Sequence, residues 1–175
     1  MCVLIVLIGY RCSGKTSVGE NMASILKWRF IDSDHVIEDK AGQSIDELVA
    51  AGGWPDFRER ETKAVNRLAT LRNTVLATGG GVILNPKNTK TLRRHGTVIW
   101  LRADAATIRA RMMKDAKTRS QRPGLTDMGP IQEVEDVLLE RTSLYENAAH
   151  HVVNTDGKSI GEISNEILMV VKRNI

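Results

Sequence analysis

Cysteine is nearly absent: the 175-residue chain has two, Cys2 and Cys12. Two are too few for a secreted disulfide framework and lack any zinc-type spacing, so the sequence predicts a reducing, cytoplasmic setting. Aromatic residues are also sparse, with three Trp, two Tyr and two Phe. Base stacking therefore has little to work with, which argues against a nucleic-acid partner. The nearest thing to a basic stripe, Lys87, Lys90, Arg93 and Arg94, reads as the solvated face of a helix. No apolar run approaches the roughly 20 residues that span a bilayer, so no membrane partner is expected. The opening apolar run to Ile8 has no basic flank and no small-residue cleavage site, and it leads straight into a glycine-rich loop. It reads as a strand rather than a leader. Neither sign of charge dominates: 25 Lys and Arg face 21 Asp and Glu, a net +4 that suits an anionic small molecule. With 42% apolar and 26% charged residues, 14 Gly and 4 Pro, the composition is that of a globular protein rather than a disordered or collagen-like one. The length predicts a single domain.

What is present is alternation. Short apolar runs and amphipathic segments follow one another from end to end, the pattern of βαβ units around a mainly parallel sheet. The spacing predicts strands at 2–8, 29–32, 74–78, 97–101 and 151–154. It predicts helices at 15–27, 34–40, 44–51, 56–71, 86–95, 104–114, 131–148 and 160–173. The segment 114–130 breaks the pattern, carrying Lys114, Lys117, Arg119 and Arg122 among Pro123, Gly124, Gly129 and Pro130. It reads either as a basic lid that closes over phosphates or as a plain disordered loop.

Gly9-Tyr-Arg-Cys-Ser-Gly14-Lys15-Thr16 matches G-x-x-x-x-G-K-[ST], follows an apolar strand and opens a helix, as the phosphate loop (P-loop) requires. Glycines let successive backbone N–H groups converge on phosphates, and the helix adds its positive N-terminal end. Lys15 is placed to reach the β- and γ-phosphates, and Thr16 to put its hydroxyl on Mg²⁺. The motif gives Tyr10 and Arg11 no role.

Such a loop needs a carboxylate on a neighbouring strand, and only the strand 29–32 ends in acid, as Asp32-Ser33-Asp34. In a doubly wound sheet the ligand crevice lies at the carboxyl ends of the strands, which puts the P-loop, the Asp pair and Gly79-Gly80-Gly81 on one edge. Asp32 suits the metal and its waters. Asp34 suits either an acceptor hydroxyl or the N-cap of the following helix. His35, with no other His nearby, reads as surface. Three consecutive glycines are costly in backbone entropy, and close backbone approach to a ligand explains them.

Two charges interrupt apolar helical stripes. Arg141 fills the gap in the series Val134, Leu138, Tyr145 and Ala148, and Glu61 the gap in Phe57, Ala64, Leu68 and Leu71, with Arg58 one turn before it. A desolvated guanidinium binds a carboxylate with two prongs better than any other side chain. Snorkelling of Arg141 and a purely structural Arg58–Glu61 pair are the competing explanations.

Together these residues resemble the shikimate kinase family along nearly the whole chain: GYRCSGKT at 9–16, DSDHVIE at 32–38, FRERE at 57–61, ATGGG at 77–81, RP at 122–123 and ERTSLYENAA at 140–149. The resemblance implies an α/β, three-layer P-loop NTPase fold of the nucleoside-monophosphate-kinase kind. Its five-stranded parallel sheet is flanked by helices, with a substrate-binding segment at about 33–61 and a mobile lid at about 114–130. It implies a monomer that transfers the γ-phosphoryl group of ATP, with Mg²⁺, to the 3-hydroxyl of shikimate in aromatic amino-acid biosynthesis. Gly9, Ser13, Gly14, Lys15, Thr16 and Ser17 would then hold the ATP phosphates, and Thr16 and, through water, Asp32 the metal. Lys15, Asp34 and Arg122 would be catalytic, with Asp34 on the acceptor hydroxyl and Arg122 on the transferring phosphoryl group. Arg58 and Arg141 would grip the shikimate carboxylate, Glu61 would brace Arg58, and Gly79, Gly80 and Gly81 would line the substrate site. The resemblance does not choose between Lys117 and Arg119 for an adenine-side contact. A gluconate-type kinase would have no use for the two arginines, a nucleotide acceptor would sit poorly beside Glu61, and an ATP-gated interaction module would leave Asp34 idle.

Overall fold

The computed structural model describes residues 4–114, 129 and 131–172. Five parallel strands, β1 (Leu4–Ile8), β2 (Arg29–Asp32), β3 (Thr74–Ala77), β4 (Thr97–Arg102) and β5 (His151–Asn154), form one sheet in the order β2-β3-β1-β4-β5. Between and after them run α1 (Lys15–Leu26), α2 (Ser33–Ala41), α3 (Ile45–Leu68), α4 (Pro86–His95), α5 (Ala105–Lys114), α6 (Val134–Ala148) and α7 (Ile160–Lys172). A short 3₁₀ turn, Val82–Leu84, precedes α4.

The central strand is apolar at every position because both its faces are covered. Leu4, Val6 and Ile8 point to one side, with Val65 and Leu68 of α3, Leu92 of α4 and Tyr145 of α6. Ile5 and Leu7 point to the other, with Val18 and Met22 of α1 and Ile163, Ile167 and Val171 of α7. Each such side chain contributes about 1.5–3 kcal/mol when fully buried. This sandwich fixes the carboxyl edge of the sheet, where β1 opens into the P-loop, β2 into Asp32 and β3 into the glycines.

The elements predicted from spacing form, with shifts that have local causes. The two helices expected at 44–51 and 56–71 form as the two halves of α3, separated at Gly53, whose φ 71° and ψ 174° are not helical, two residues before Pro55; the second half stops at Leu68. Ile131–Glu133 form a turn, so α6 starts at Val134, the first residue of its apolar stripe, rather than at 131. Helix α2 begins at Ser33 because Asp32 caps it: Asp34 N–H donates to Asp32 Oδ1 at 3.0 Å. The N-cap reading of Asp34 is thereby corrected, since Asp34 sits inside the first turn. Lys87, Lys90, Arg93 and Arg94 are exposed, as is His35. No helix among the described residues is long and apolar enough to cross a membrane. Most of the segment 114–130 lies outside the described residues, Arg122 included.

Candidate active site

The P-loop is shaped by glycine where the chain requires it. Gly9 has φ 147°, and a Cβ there would stand 2.6 Å from the Leu101 carbonyl oxygen. Gly14, at φ 97°, is the N-cap residue of α1 and offers no side-chain cap, whereas Asp32, Ser44 and Asn85 cap α2, α3 and α4. The first turn of α1 also lacks acidic residues. The backbone N–H groups of Gly14, Lys15, Thr16 and the exposed Ser17, with the helix dipole behind them, are an arrangement that suits an anion. Lys15 Nζ donates to the carbonyls of Gly9 and Tyr10, at 2.8 Å each, so the ammonium lies over the loop. Ser13 is buried. Thr16 Oγ1 donates to Asp32 Oδ2 at 3.1 Å. A hydroxyl and a carboxylate side by side are hard oxygen donors that fit Mg²⁺, which takes its remaining ligands from phosphates and water.

A cleft of about 470 Å³ is lined by Trp54, Pro55, Arg58, Leu84, Asn85, Pro86 and Arg141. The bend in α3 brings Arg58 to it, over the rings of Trp54 and Phe57 at 5.0 and 5.2 Å. Arg58 Nη1 donates to both carboxylate oxygens of Glu61, at 3.0 and 2.9 Å, and the Glu61 side chain has no exposed surface. Burial pushes the Glu61 carboxyl above its ordinary range, while Arg58 and then Arg141 pull it back. Of the two stripe-breaking charges, Arg141 lines the cleft, and Glu61 lies buried behind Arg58, which lines it too.

The glycine triplet is where these side chains meet. A Cβ on Gly79 would stand 2.6 Å from Asp34 Oδ1 and 3.0 Å from Glu61 Oε1, and one on Gly81 would collide with the Arg58 guanidinium. One on Gly80 would press on Arg11 N and Gly9 O at 3.4 Å. Among protein atoms, then, the glycines make room for Asp34, Glu61, Arg58 and the P-loop. Gly79 N–H donates to the buried Ser33 hydroxyl, and Gly80 O accepts from Tyr145.

Two sets of residues escaped the sequence reading. Arg111 on α5 donates from Nη1 to Thr155 Oγ1 (3.1 Å) and the Cys12 carbonyl (3.4 Å), and from Nη2 to the Thr155 carbonyl (2.9 Å), joining the P-loop to the loop after β5. Nothing in a helix that also carries Arg109 singles it out. Arg11 pairs with buried Glu133 at 3.5 Å.

A parallel sheet with a glycine loop and lysine after its central strand, and a carboxylate after a nearby one, defines a P-loop NTPase fold. The model of the Shikimate kinase family matches residues 11–172. A shikimate kinase of Oleidesulfovibrio alaskensis is 45% identical over 150 residues, covering 86% of this chain and 87% of the relative. One of Syntrophus aciditrophicus is 41% identical over 172 residues, covering 94% and 88%. The solved structure of shikimate kinase from Acinetobacter baumannii in complex with shikimate superposes with a TM-score of 0.91 at 34% identity, covering 99% of this chain and 95% of that one. The chain belongs to the shikimate kinase family.

Proposed function

We propose that this chain is a shikimate kinase that transfers the γ-phosphoryl group of ATP to the 3-hydroxyl of shikimate, yielding shikimate 3-phosphate and ADP for aromatic amino-acid biosynthesis. The observation that carries this reading is that one cleft is lined by both Arg58 and Arg141, with Gly81 against Arg58 and its neighbour Gly80 against the P-loop backbone. Two guanidinium groups suit the carboxylate of a compact hydroxylated ring, and shikimate is the ligand of the Acinetobacter relative.

In this reading Gly9, Ser13, Gly14, Lys15, Thr16 and Ser17 hold the ATP phosphates, chiefly through backbone N–H groups and the lysine ammonium. Thr16 and, through water, Asp32 would hold Mg²⁺, which would supply positive charge against the phosphate oxygens. Arg58, kept straight by Glu61, and Arg141 bind the shikimate carboxylate, and Gly79, Gly80 and Gly81 line the ring site. Asp34, at the start of α2, aligns the 3-hydroxyl and takes its proton. Lys15 stabilises the transferring group, joined by Arg122, which is assigned by the family motif Arg122-Pro123 alone. Catalysis is then positioning plus electrostatics. The molecule works as a cytoplasmic monomer, one domain with an acceptor segment at about 33–61 and a lid at about 114–130; the scarcity of cysteine supports the compartment.

ADP release from Mg-ATP, followed with shikimate, gluconate or AMP as acceptor, tests the reading. Strong stimulation by shikimate alone is expected. ATP binding without turnover on shikimate would sink it.

A further inference from the structure

Glu133 has no exposed side-chain surface, and it occupies the N-cap position of α6 without making a side-chain cap bond. Its Oε1 lies 3.5 Å from Arg11 Nη2, on an arginine side chain that is itself only 11% exposed. A carboxylate removed from water is costly without an opposite charge, and Arg11 supplies one. The Arg11 guanidinium also lies 5.7 Å from the centre of the Tyr10 ring. Tyr10 packs among Ile108 and Met112 of α5 and Val134 and Val137 of α6. Two P-loop positions that the motif leaves open thereby hold the first turns of α6, one by charge and one by packing.

Arg141 follows two turns along the same helix. One turn beyond it, Tyr145 donates its hydroxyl to Gly80 O at 2.5 Å, stacked on Trp100 with ring centroids 5.4 Å apart. Gly80 in turn abuts the Arg11 backbone. Helix α6 is thus tied to the P-loop directly at its start and through Gly80 near its end, with Arg141 between the two ties. A rigid helix held at both ends delivers its guanidinium to a fixed point, and misplacement by about 1 Å is enough to cost affinity or rate.

We propose that Arg11 and Glu133 are positioning residues that set where Arg141 meets the acceptor's carboxylate; the inference rests on the shikimate reading above. The test compares shikimate with its carboxamide, which keeps the ring hydroxyls and lacks the negative charge. In Glu133→Gln the KM for shikimate should rise about tenfold, with kcat within about threefold of the parent. The KM for the carboxamide should change by less than about twofold, so the preference for a carboxylate collapses. An unchanged shikimate KM, or an equal rise for both acceptors, overturns the proposal. Should Glu133→Gln fail to fold, Arg11→Met with Glu133→Leu removes both buried charges together and keeps apolar side chains in their place. That double variant should also lose the preference, and retention of the parent's preference overturns the proposal. A parent inactive on shikimate overturns the functional reading and this one with it. A parent active on shikimate with Glu133→Gln indistinguishable from it removes only the pair.

Discussion

The phosphate loop and the arginine cleft lie side by side on one edge of the sheet, but they are built from different materials. The loop is a short contiguous stretch whose work falls to backbone N–H groups, two positive-φ glycines and an uncapped helix end. The cleft is assembled from three distant segments, and it is marked by charged side chains held by buried partners: Arg58 by Glu61, and α6 by Glu133 and Tyr145. A backbone site is specified locally and is indifferent to most side chains around it. A side-chain site depends on every element that carries one of its charges, and that is where an acceptor can be chosen.

The contrast can be broken from either side. The largest effect is expected for Asp34→Asn, which should lower kcat about 100-fold while the ATP dissociation constant stays within about twofold, as turnover and nucleotide titration would show. A parallel loss of ATP binding would mean that the halves are not separable. Arg141→Ala should raise the shikimate KM about 30-fold with a smaller change in kcat; a normal KM would remove Arg141 from the carboxylate site. On the loop side, Gly9→Ala should destabilise the fold by about 1–3 kcal/mol in denaturant titration, because the added Cβ meets the Leu101 carbonyl. Unchanged stability would show that the loop does not depend on its glycines.

Acid gives the gentlest perturbation, and it should act at the amino end of the sheet, on the edge opposite the P-loop and the cleft. His150 follows α6, and its Nδ1 accepts from Val98 N–H at 3.0 Å, an acceptor role open only to the neutral ring. Partial burial, then the charges of Arg93 and His151, hold its pKa below the ordinary 6.5. Below that value the unfolded chain takes up the proton more readily than the folded one. The stabilisation is therefore complete above 6.5 and fades as pH falls through it towards the lower folded value. A small drop in Tm over that window is expected, reduced in His150→Asn, and a drop unaltered by the substitution would exonerate the ring.

The same difference in materials explains what could be read from the chain. The P-loop was legible because its eight residues are adjacent, and the sheet because buried parallel strands are apolar throughout. Glu61 and Arg141 were legible as charges at positions where helical periodicity demands apolar groups, and both are buried. Arg111 was not, since its partners Cys12 and Thr155 lie 99 and 44 residues away and an exposed-looking arginine on a basic helix carries no periodic signature. Arg11 and Glu133 failed for the same reason, as each looks ordinary until the fold brings them together. The break inside α3 was legible because Gly52-Gly53 and Pro55 are punctuation in sequence, and Gly53 leaves helical geometry there.

Asp32 answers to two masters. Its Oδ1 starts α2 by holding Asp34 N–H, and its Oδ2 holds the Thr16 hydroxyl. Asparagine could still accept the first of these bonds and start the helix, but it would bring a neutral amide to Thr16. Alanine would fail at both. The substitutions this position tolerates in a lineage are therefore the overlap of two lists, one written by folding and one by chemistry, and that overlap is narrower than either list alone.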